Sequence, residues 1–522
     1  MSLSLVRKVG GTERYSVARA NTLIYMNVVV GARLHELSKT GPSSPPRDHA
    51  QWVQLLTGPL TWLIQEHPNL SVVVGDHLSA TPVFLQMASV DLSRVIRVTS
   101  IDHVADINKI LEEEHGIHFD FSNTELPLWR TVVVQVKEDG SFYVLHVYQH
   151  SIADGRAGLG LVEQLIERLN FQATMAAVDE PHTLPSVVVI PSAVRAMPPP
   201  LEEVINCSPS LGLLIREAFV GLFLPMSVKK AIEKKYWSGE FDATLKVPNE
   251  TEVVAMYLTD EETTQVAQSA KAHKTSVHAI LLSAAAFATK AVFLSNSGDN
   301  KQGPTTTKMG MKLTTPVTLR PIIKPAITHY VQGNYTSEIA SKGIKVKLDT
   351  EIWDLAYRFK KQLVAETTKP KPLLGHVGLL NYLPKEAGGW EKFLTEQVDK
   401  EQHGREATLQ ISNLGIGLKQ DQKSTDSTPV HFKVLDAMFS QASSITAASF
   451  TFSVVTANGV LAATSTWQKS AFTGRDRGEL HMKEFKRILL EATQLGRNDY
   501  RFREVFGASP TTAAATSTTK AQ

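Results

Sequence analysis

A chain of 522 residues is too long for one ordinary core, so two domains, each with its own buried interior, are expected. Hydrophobic content of 43% and charged content of 20% fit a folded globular protein, and a net charge of +2 with no basic, aromatic-interleaved stripe excludes a nucleic-acid binder. Cys207 is the only cysteine, which excludes an intramolecular disulfide and favours a reducing compartment; residues 1–8 lack the apolar core of a secretory signal, so a cytoplasmic location is expected.

In chain order, residues 51–65 carry an amphipathic helical pattern, and 70–74 and 95–99 read as short strands. Aromatic and β-branched residues over 141–149, after the turn-like Asp139-Gly140, predict another strand. The spacing of Leu159, Leu161, Val162, Leu165 and Ile166 predicts a helix over 156–169 with one buried face. Prolines cluster between 181 and 209, where their missing donors stop regular elements, so a linker is expected. Residues 211–226 are apolar except for Arg216 and Glu217, too short and too charged to span a membrane. They predict an amphipathic helix packed on a neighbour, with attachment to a membrane surface, helped by Lys229, Lys230, Lys234 and Lys235, as the alternative.

Beyond it, 252–258 reads as a strand, and the small, uniformly apolar run at 276–293 predicts a helix buried on most sides. Strand signals return at 407–411, 430–434, 448–455 and 459–465. The Gly, Ser and Thr-rich stretch at 296–307 and the Ala, Ser and Thr-rich tail at 508–522 read as mobile. The expected division is a first α/β unit over 1–200, a linker with an amphipathic helix over 201–250, a second α/β unit over 251–507, and a disordered tail over 508–522.

The strongest local signal is His150-Ser151-Ile152-Ala153-Asp154-Gly155, which sets a proton acceptor, a carboxylate and a permissive glycine where a strand hands over to a helix. Two readings stand side by side. His150 is a general base, or it is a satisfied interior histidine with Asp154 merely capping the helix that follows. Other chemistries find less support. The chain has no Gly-x-Ser-x-Gly elbow, no phosphate-binding loop and no His-Glu-x-x-His. His146 and His150 on one strand would lie about 13 Å apart, too far to share a metal. His115 and His118 fall in a charged segment and read as solvated, so no metal is expected. Gly155, Gly158 and Gly160 fall inside the predicted helix and so fail as a dinucleotide fingerprint.

The motif, the two-unit layout and several flanking segments together resemble the alcohol acetyltransferase family, within the chloramphenicol-acetyltransferase-like superfamily of CoA-dependent acyltransferases and condensation domains. The likeness spans roughly residues 8–500. Gly10-Gly11-Thr12-Glu13-Arg14-Tyr15-Ser16-Val17-Ala18-Arg19 resembles the family's opening segment, and Glu66-His67-Pro68-Asn69-Leu70 the element before its first core strand. The motif is similar to the family's His-His-x-x-x-Asp-Gly, with Gln149 at the first histidine. Pro316-Val317-Thr318-Leu319-Arg320-Pro321, then Gly333-Asn334-Tyr335, resemble its arginine-bearing strand and Gly-Asn element, and Ile411-Ser412-Asn413-Leu414-Gly415 its Ser-Asn-x-Gly segment. The plant-type Asp-Phe-Gly-Trp-Gly signature is absent.

The resemblance implies two chloramphenicol-acetyltransferase-like α/β subdomains, each a mixed sheet flanked by helices, with a central tunnel that CoA and acceptor enter from opposite mouths. It implies His150 and Asp154 as the catalytic pair, with Asp154 turned from the tunnel onto Arg320 and Gly155 leaving room for ligand. Ser412, Asn413 and Gly415 become candidates for the oxyanion or substrate site, with a simple Asn-Leu-Gly turn as the alternative. Gly333-Asn334 would shape the crossover, and Lys345 and Lys347 read as a solvated edge. The implied activity is transfer of an acetyl or short acyl group from acyl-CoA, a co-substrate rather than a bound cofactor, to an alcohol by a monomer. N-acylation, a condensation-type reaction and a non-catalytic tunnel-binding protein are the alternatives.

Overall fold

A computed structural model describes residues 3–37, 46–176, 184–191, 195–222, 227–228, 236–296, 305–306, 309–400, 405–418 and 430–506. The tail at 508–522, most of the stretch at 296–307 and Lys229, Lys230, Lys234 and Lys235 lie outside the described residues.

Eleven strands build the two large sheets, and these alone are numbered. Strands β1 (Val28–Glu36), β2 (Ile96–Ile101), β3 (Trp129–Val136) and β4 (Phe142–Tyr148) precede β5 (Thr251–Tyr257), β6 (Met311–Thr318) and β7 (Thr336–Ile344). Then come β8 (Ala407–Gly417), β9 (Phe432–Gln441), β10 (Ala448–Ala457) and β11 (Val460–Gln468). The first sheet has the order β9-β1-β4-β3-β2 and the second β5-β11-β10-β8-β6-β7. Both are mixed: β2 and β3 run parallel, as do β6, β8 and β10, while the other neighbours are antiparallel.

Sheet membership does not follow chain order. The strand signal at 430–434 opens β9, which does not join β8 and β10 in the second sheet but pairs antiparallel with β1, from Phe432 opposite Glu36 to Gln441 opposite Val28. Periodicity finds such a strand but carries no information about which sheet accepts it. Its crossing makes a strand of the second half part of the first sheet.

The helices cover the sheets as their patterns require. Helix α1 spans Gly11–Asn21, α2 His49–Glu66, α3 Ile107–Gly116, α4 Gly155–Ala176, α5 Leu211–Leu222, α6 Asp260–Ala272 and α7 Val277–Phe293. In α7 every residue from Ala279 to Lys290 is buried, as its small, apolar composition demands. One hydrophobic cluster packs α2 and α4 on the first sheet, and a second packs α7 on the other. Edge strand β5 is closed by side chains of α3: Val253 N–H donates to Glu112 Oε1 at 2.8 Å and Ala255 N–H to Asn108 Oδ1 at 2.9 Å. Donors that an open edge would leave for another chain are thereby satisfied.

His115 is not solvated. It is fully buried in α3, bonded to Asn27 Oδ1 and Ser440 Oγ, both at 2.7 Å, whereas His118 is exposed. Flanking charges misled the sequence reading because, of the three glutamates before it, only Glu113 is exposed, whereas Glu114 is buried with His115 and paired with Arg97 and Arg130. Helix α5 sets Leu213 near Gly375 but leaves Leu211, Ile215 and Phe219 exposed at 72%, 61% and 56%. No single helix among the described residues is long and apolar enough to cross a membrane; α6 and α7 meet the test only as a pair bent by 101°, and α7 belongs to the core.

Gly31 shows how tightly β1 lies on β4. A Cβ there would come within 2.4 Å of the Val144 carbonyl oxygen and 2.9 Å of Leu145 Cα, both backbone atoms that cannot step aside. Gly31→Ala is expected to lower unfolding free energy by about 1–3 kcal/mol, the usual cost of overpacking, with urea denaturation as the measurement.

Candidate active site

Strand β4 ends at Tyr148 and α4 begins at Gly155, so the six-residue motif forms the turn between them. Polar ties hold this turn in place. Gln149, standing where the family has histidine, is buried; its Nε2 donates to the Ser16 carbonyl at 3.0 Å and its Oε1 accepts from Ser151 N–H at 2.5 Å. Asn69 donates to the Ile152 carbonyl at 2.9 Å.

Asp154 takes both roles that its position allows. Oδ1 accepts from Ala157 N–H at 2.8 Å, which caps α4, and Oδ2 accepts from Arg320 Nε at 3.2 Å, Arg320 Nη2 at 2.9 Å and Tyr335 N–H at 3.1 Å. Arg320 uses all five donors, because Nη1 also reaches the Thr328 and Val331 carbonyls at 2.7 and 2.9 Å, and Nη2 the Gly333 carbonyl at 3.1 Å. Neither side chain keeps contact with water, the relative exposures being 0% for Asp154 and 4% for Arg320. Gly333 carries this arrangement at φ +147°, where a Cβ would also meet Tyr335 Cε2 at 2.6 Å. Its carbonyl accepts from Asp154 N–H at 2.9 Å as well.

The glycines of α4 are a packing face. Cβ atoms at Gly155, Gly158 and Gly160 would approach Leu414 Cδ2 to 2.7 Å, Tyr148 Oη to 2.4 Å and the His329 carbonyl oxygen to 2.5 Å. The space at Gly155 is thus taken by Leu414 of β8 rather than left for a ligand.

Between the halves lies a cavity of about 770 Å³ whose wall includes His150, Gly155, Ser412 and Asn413. Asp154, Arg320 and Gly415 are not on that wall, and neither are the exposed Lys345 and Lys347. Asn413 Oδ1 accepts from Gly415 N–H at 2.8 Å, and Gly415 sits at φ +74° inside a register shift of β8 between Asn413 and Ile416. The Asn-Leu-Gly turn and a place on the cavity wall are both real. Arg156 adds a bond to the Leu414 carbonyl across this bulge.

His150 Nδ1 lies 3.3 Å from Asn334 Nδ2, which also donates to the His150 carbonyl at 3.4 Å, while Thr336 Oγ holds Asn334 Oδ1 at 2.8 Å. Burial, and then the charge of Arg19, push the imidazole down to about 4; a hydrogen bond to its own backbone carbonyl and the Asp154 carboxylate oppose this. The ring is therefore neutral at pH 7. Farther along the wall, burial and then the Glu406 carboxylate push Glu338 up to about 7, against a hydrogen bond from Gln410 and the charge of Lys312.

Three residues at the ring escaped the sequence reading. Asn334 was assigned to the crossover, and Arg19 and Tyr25 received no role. Only Asn334 had a usable signal, its place beside Gly333 in a segment already singled out. Among the described residues no group of three or more His, Cys, Asp or Glu is arranged to hold a metal ion.

Arg320→Met strips Asp154 of its buried counter-charge, and unfolding free energy should fall by about 3–5 kcal/mol. Asp154→Asn combined with Arg320→Met should cost clearly less than the two single changes together. Additive losses in a double-mutant cycle would disprove the coupling.

Comparisons with known proteins bear on the fold and the family. The sequence model described as alcohol acetyltransferase matches residues 102–489. A curated relative, the probable alcohol acetyltransferase crmB of Aspergillus fumigatus, is 22% identical over 432 residues, covering 78% of this chain and 84% of that protein. Among solved structures, TRI3 trichothecene 15-O-acetyltransferase from Fusarium sporotrichioides superposes with a TM-score of 0.64 at 13% identity, covering 93% of this chain and 95% of that one. Polyketide synthase associated protein 5 from Mycobacterium tuberculosis follows at 0.56 and 14%, covering 94% and 98%. The fold is that of the chloramphenicol-acetyltransferase-like acyltransferases, and the chain, an enzyme of the transferase class, belongs to the alcohol acetyltransferase family.

Proposed function

We propose that the protein is an O-acyltransferase that moves an acetyl or another short acyl group from acyl-CoA to a hydroxyl of a small acceptor, with His150 as general base. The observation that carries this reading is the neutral His150 imidazole on the cavity wall, whose hydrogen bond to its own backbone carbonyl keeps the proton on Nδ1 and leaves the Nε2 lone pair for substrate.

An alcohol attacks poorly until its proton leaves. Nε2 takes that proton as the oxygen bonds to the thioester carbonyl carbon. The tetrahedral intermediate then expels the sulfur, the C–S bond breaks, and the proton passes from His150 to the departing thiolate. No covalent enzyme intermediate is required. Negative charge on the carbonyl oxygen needs fixed donors. Ser412 and Asn413 are suited to supply them, since the hold of Gly415 on Asn413 Oδ1 leaves the Nδ2 donors unclaimed by the turn. Asp154 and Arg320 act through the turn that aims the ring. The relatives support an oxygen acceptor by their names, one being an alcohol acetyltransferase and another a 15-O-acetyltransferase.

Purified protein given acetyl-CoA and a panel of alcohols should release free thiol only when an acceptor is present. His150→Ala should reduce kcat/KM by roughly 10²–10⁴-fold with an unchanged melting temperature; retained turnover would remove His150 from the chemistry. The kcat/KM profile of the free enzyme should also keep its plateau below the ordinary imidazole value of 6.5 and fall only toward about 4. The sign follows from a depressed folded-state pKa, which preserves the base form as pH drops. An acid limb centred near 6.5 would contradict it.

A further inference from the structure

Arg19 is a cation on the cavity wall that takes no part in the proposed chemistry beyond the charge it places near His150. It projects from α1, and its guanidinium carbon lies 4.7 Å from the Tyr15 ring centroid and 4.5 Å from that of Tyr25. Tyr25 is in turn 6.1 Å, ring to ring, from His150, so one aromatic layer separates the guanidinium from the imidazole. Arg19 makes no ion pair and no side-chain hydrogen bond among the described residues, and its Nε is buried without a partner.

Of the other cations at this cavity, Lys342 is exposed to water and the remaining three are committed. Lys312 pairs with Glu406 at 2.8 Å, Arg216 with Glu217 at 2.6 Å, and Arg156 holds the Leu414 carbonyl. Arg19 is half-buried, and its Nε is withdrawn from water without an acceptor, a cost that the two ring contacts offset only in part. Contacts to ring faces leave a guanidinium's N–H groups free, and their fork is the geometry that binds a carboxylate through two parallel hydrogen bonds. The phosphates of CoA are poor occupants, because the whole pantetheine arm separates them from the thiol that must reach His150.

We propose that Arg19, held between Tyr15 and Tyr25, is an acceptor-recognition residue that binds a carboxylate on the acceptor, one aromatic layer from the hydroxyl that His150 deprotonates. This deepens the acyltransferase reading and rests on it for the identity of the hydroxyl. The preferred acceptors are then hydroxy acids whose two functional groups are spaced to span that layer.

The test compares ω-hydroxyoctanoate with its methyl ester, which differ in the charge at one end. Dissociation constants come from calorimetry and kcat and KM from thiol release with acetyl-CoA, using wild type, Arg19→Gln and Arg19→Lys, each with its melting temperature. Wild type should bind the acid roughly ten- to hundred-fold more tightly than the ester, the range of a charged hydrogen bond. Arg19→Gln should abolish that preference in binding while leaving the ester's dissociation constant within about two-fold, and Arg19→Lys should keep part of it as a point charge without the fork. Equal binding of acid and ester by wild type overturns the proposal. So does an equal weakening of acid and ester binding in Arg19→Gln, which would make the residue a general wall contact. Preferential binding of the acid without thiol release would instead sink the acyltransferase reading and leave the anion site standing.

Discussion

The buried pair of Asp154 and Arg320 is the constraint on which the rest depends. Asp154 ends the turn that follows β4 of the first sheet, and Arg320 lies just beyond β6 of the second, so their bonds at 2.9 and 3.2 Å join the halves at the base of the cavity. Two charges out of water stabilise little by themselves, since desolvation consumes most of the attraction. What they supply is geometry. With every guanidinium donor used, and with Tyr335 and Ala157 N–H filling the carboxylate, the turn has one arrangement open to it, and His150 four residues earlier inherits that orientation.

A fixed ring matters because the imidazole is a weak base where it sits. Burial and the charge of Arg19 hold its pKa near 4, so proton affinity alone would not draw a proton from an alcohol in advance. Transfer must accompany attack on the thioester, and it then depends on alignment at the moment of bond formation. That explains why Gln149, Asn69, Asp154 and Asn334 all anchor the turn or the ring of His150, which lies on the cavity wall.

Much of this was legible in the chain. The motif, Arg320 and the Ser412 to Gly415 run could be read because each is a compact pattern of unusual residue types, and helices such as α7 could be read because burial repeats along them. Sheet membership of β9, burial of His115 and the approach of Arg19, Tyr25 and Asn334 to the ring could not. All of these are set by contacts across long stretches of sequence, such as the 184 residues between Asn334 and His150, and no local period encodes such pairings. The glycines at 155, 158 and 160 illustrate the boundary: their place in a helix was visible, but the partners that require them, Leu414, Tyr148 and His329, appear only in the fold.

The crossing of β9 gives the cavity a composite wall, and this bears on where specificity can reside. Phe439 and Gln441 of β9 line it together with Thr12, Tyr15 and Arg19 of α1 and with Thr318 and Glu338 of the second sheet. Residues committed to holding the turn cannot change without misaiming His150, and a backbone misplacement of even an ångström is expensive for a reaction that depends on alignment. Discrimination among acceptors therefore has to come from wall positions outside that network. Glu338 and Arg19 are of this kind: each faces the cavity, and neither takes part in the bonds that fix the motif turn. A scaffold that separates aiming from recognition can accept new substrates by changes on its wall while the turn between β4 and α4 stays as it is.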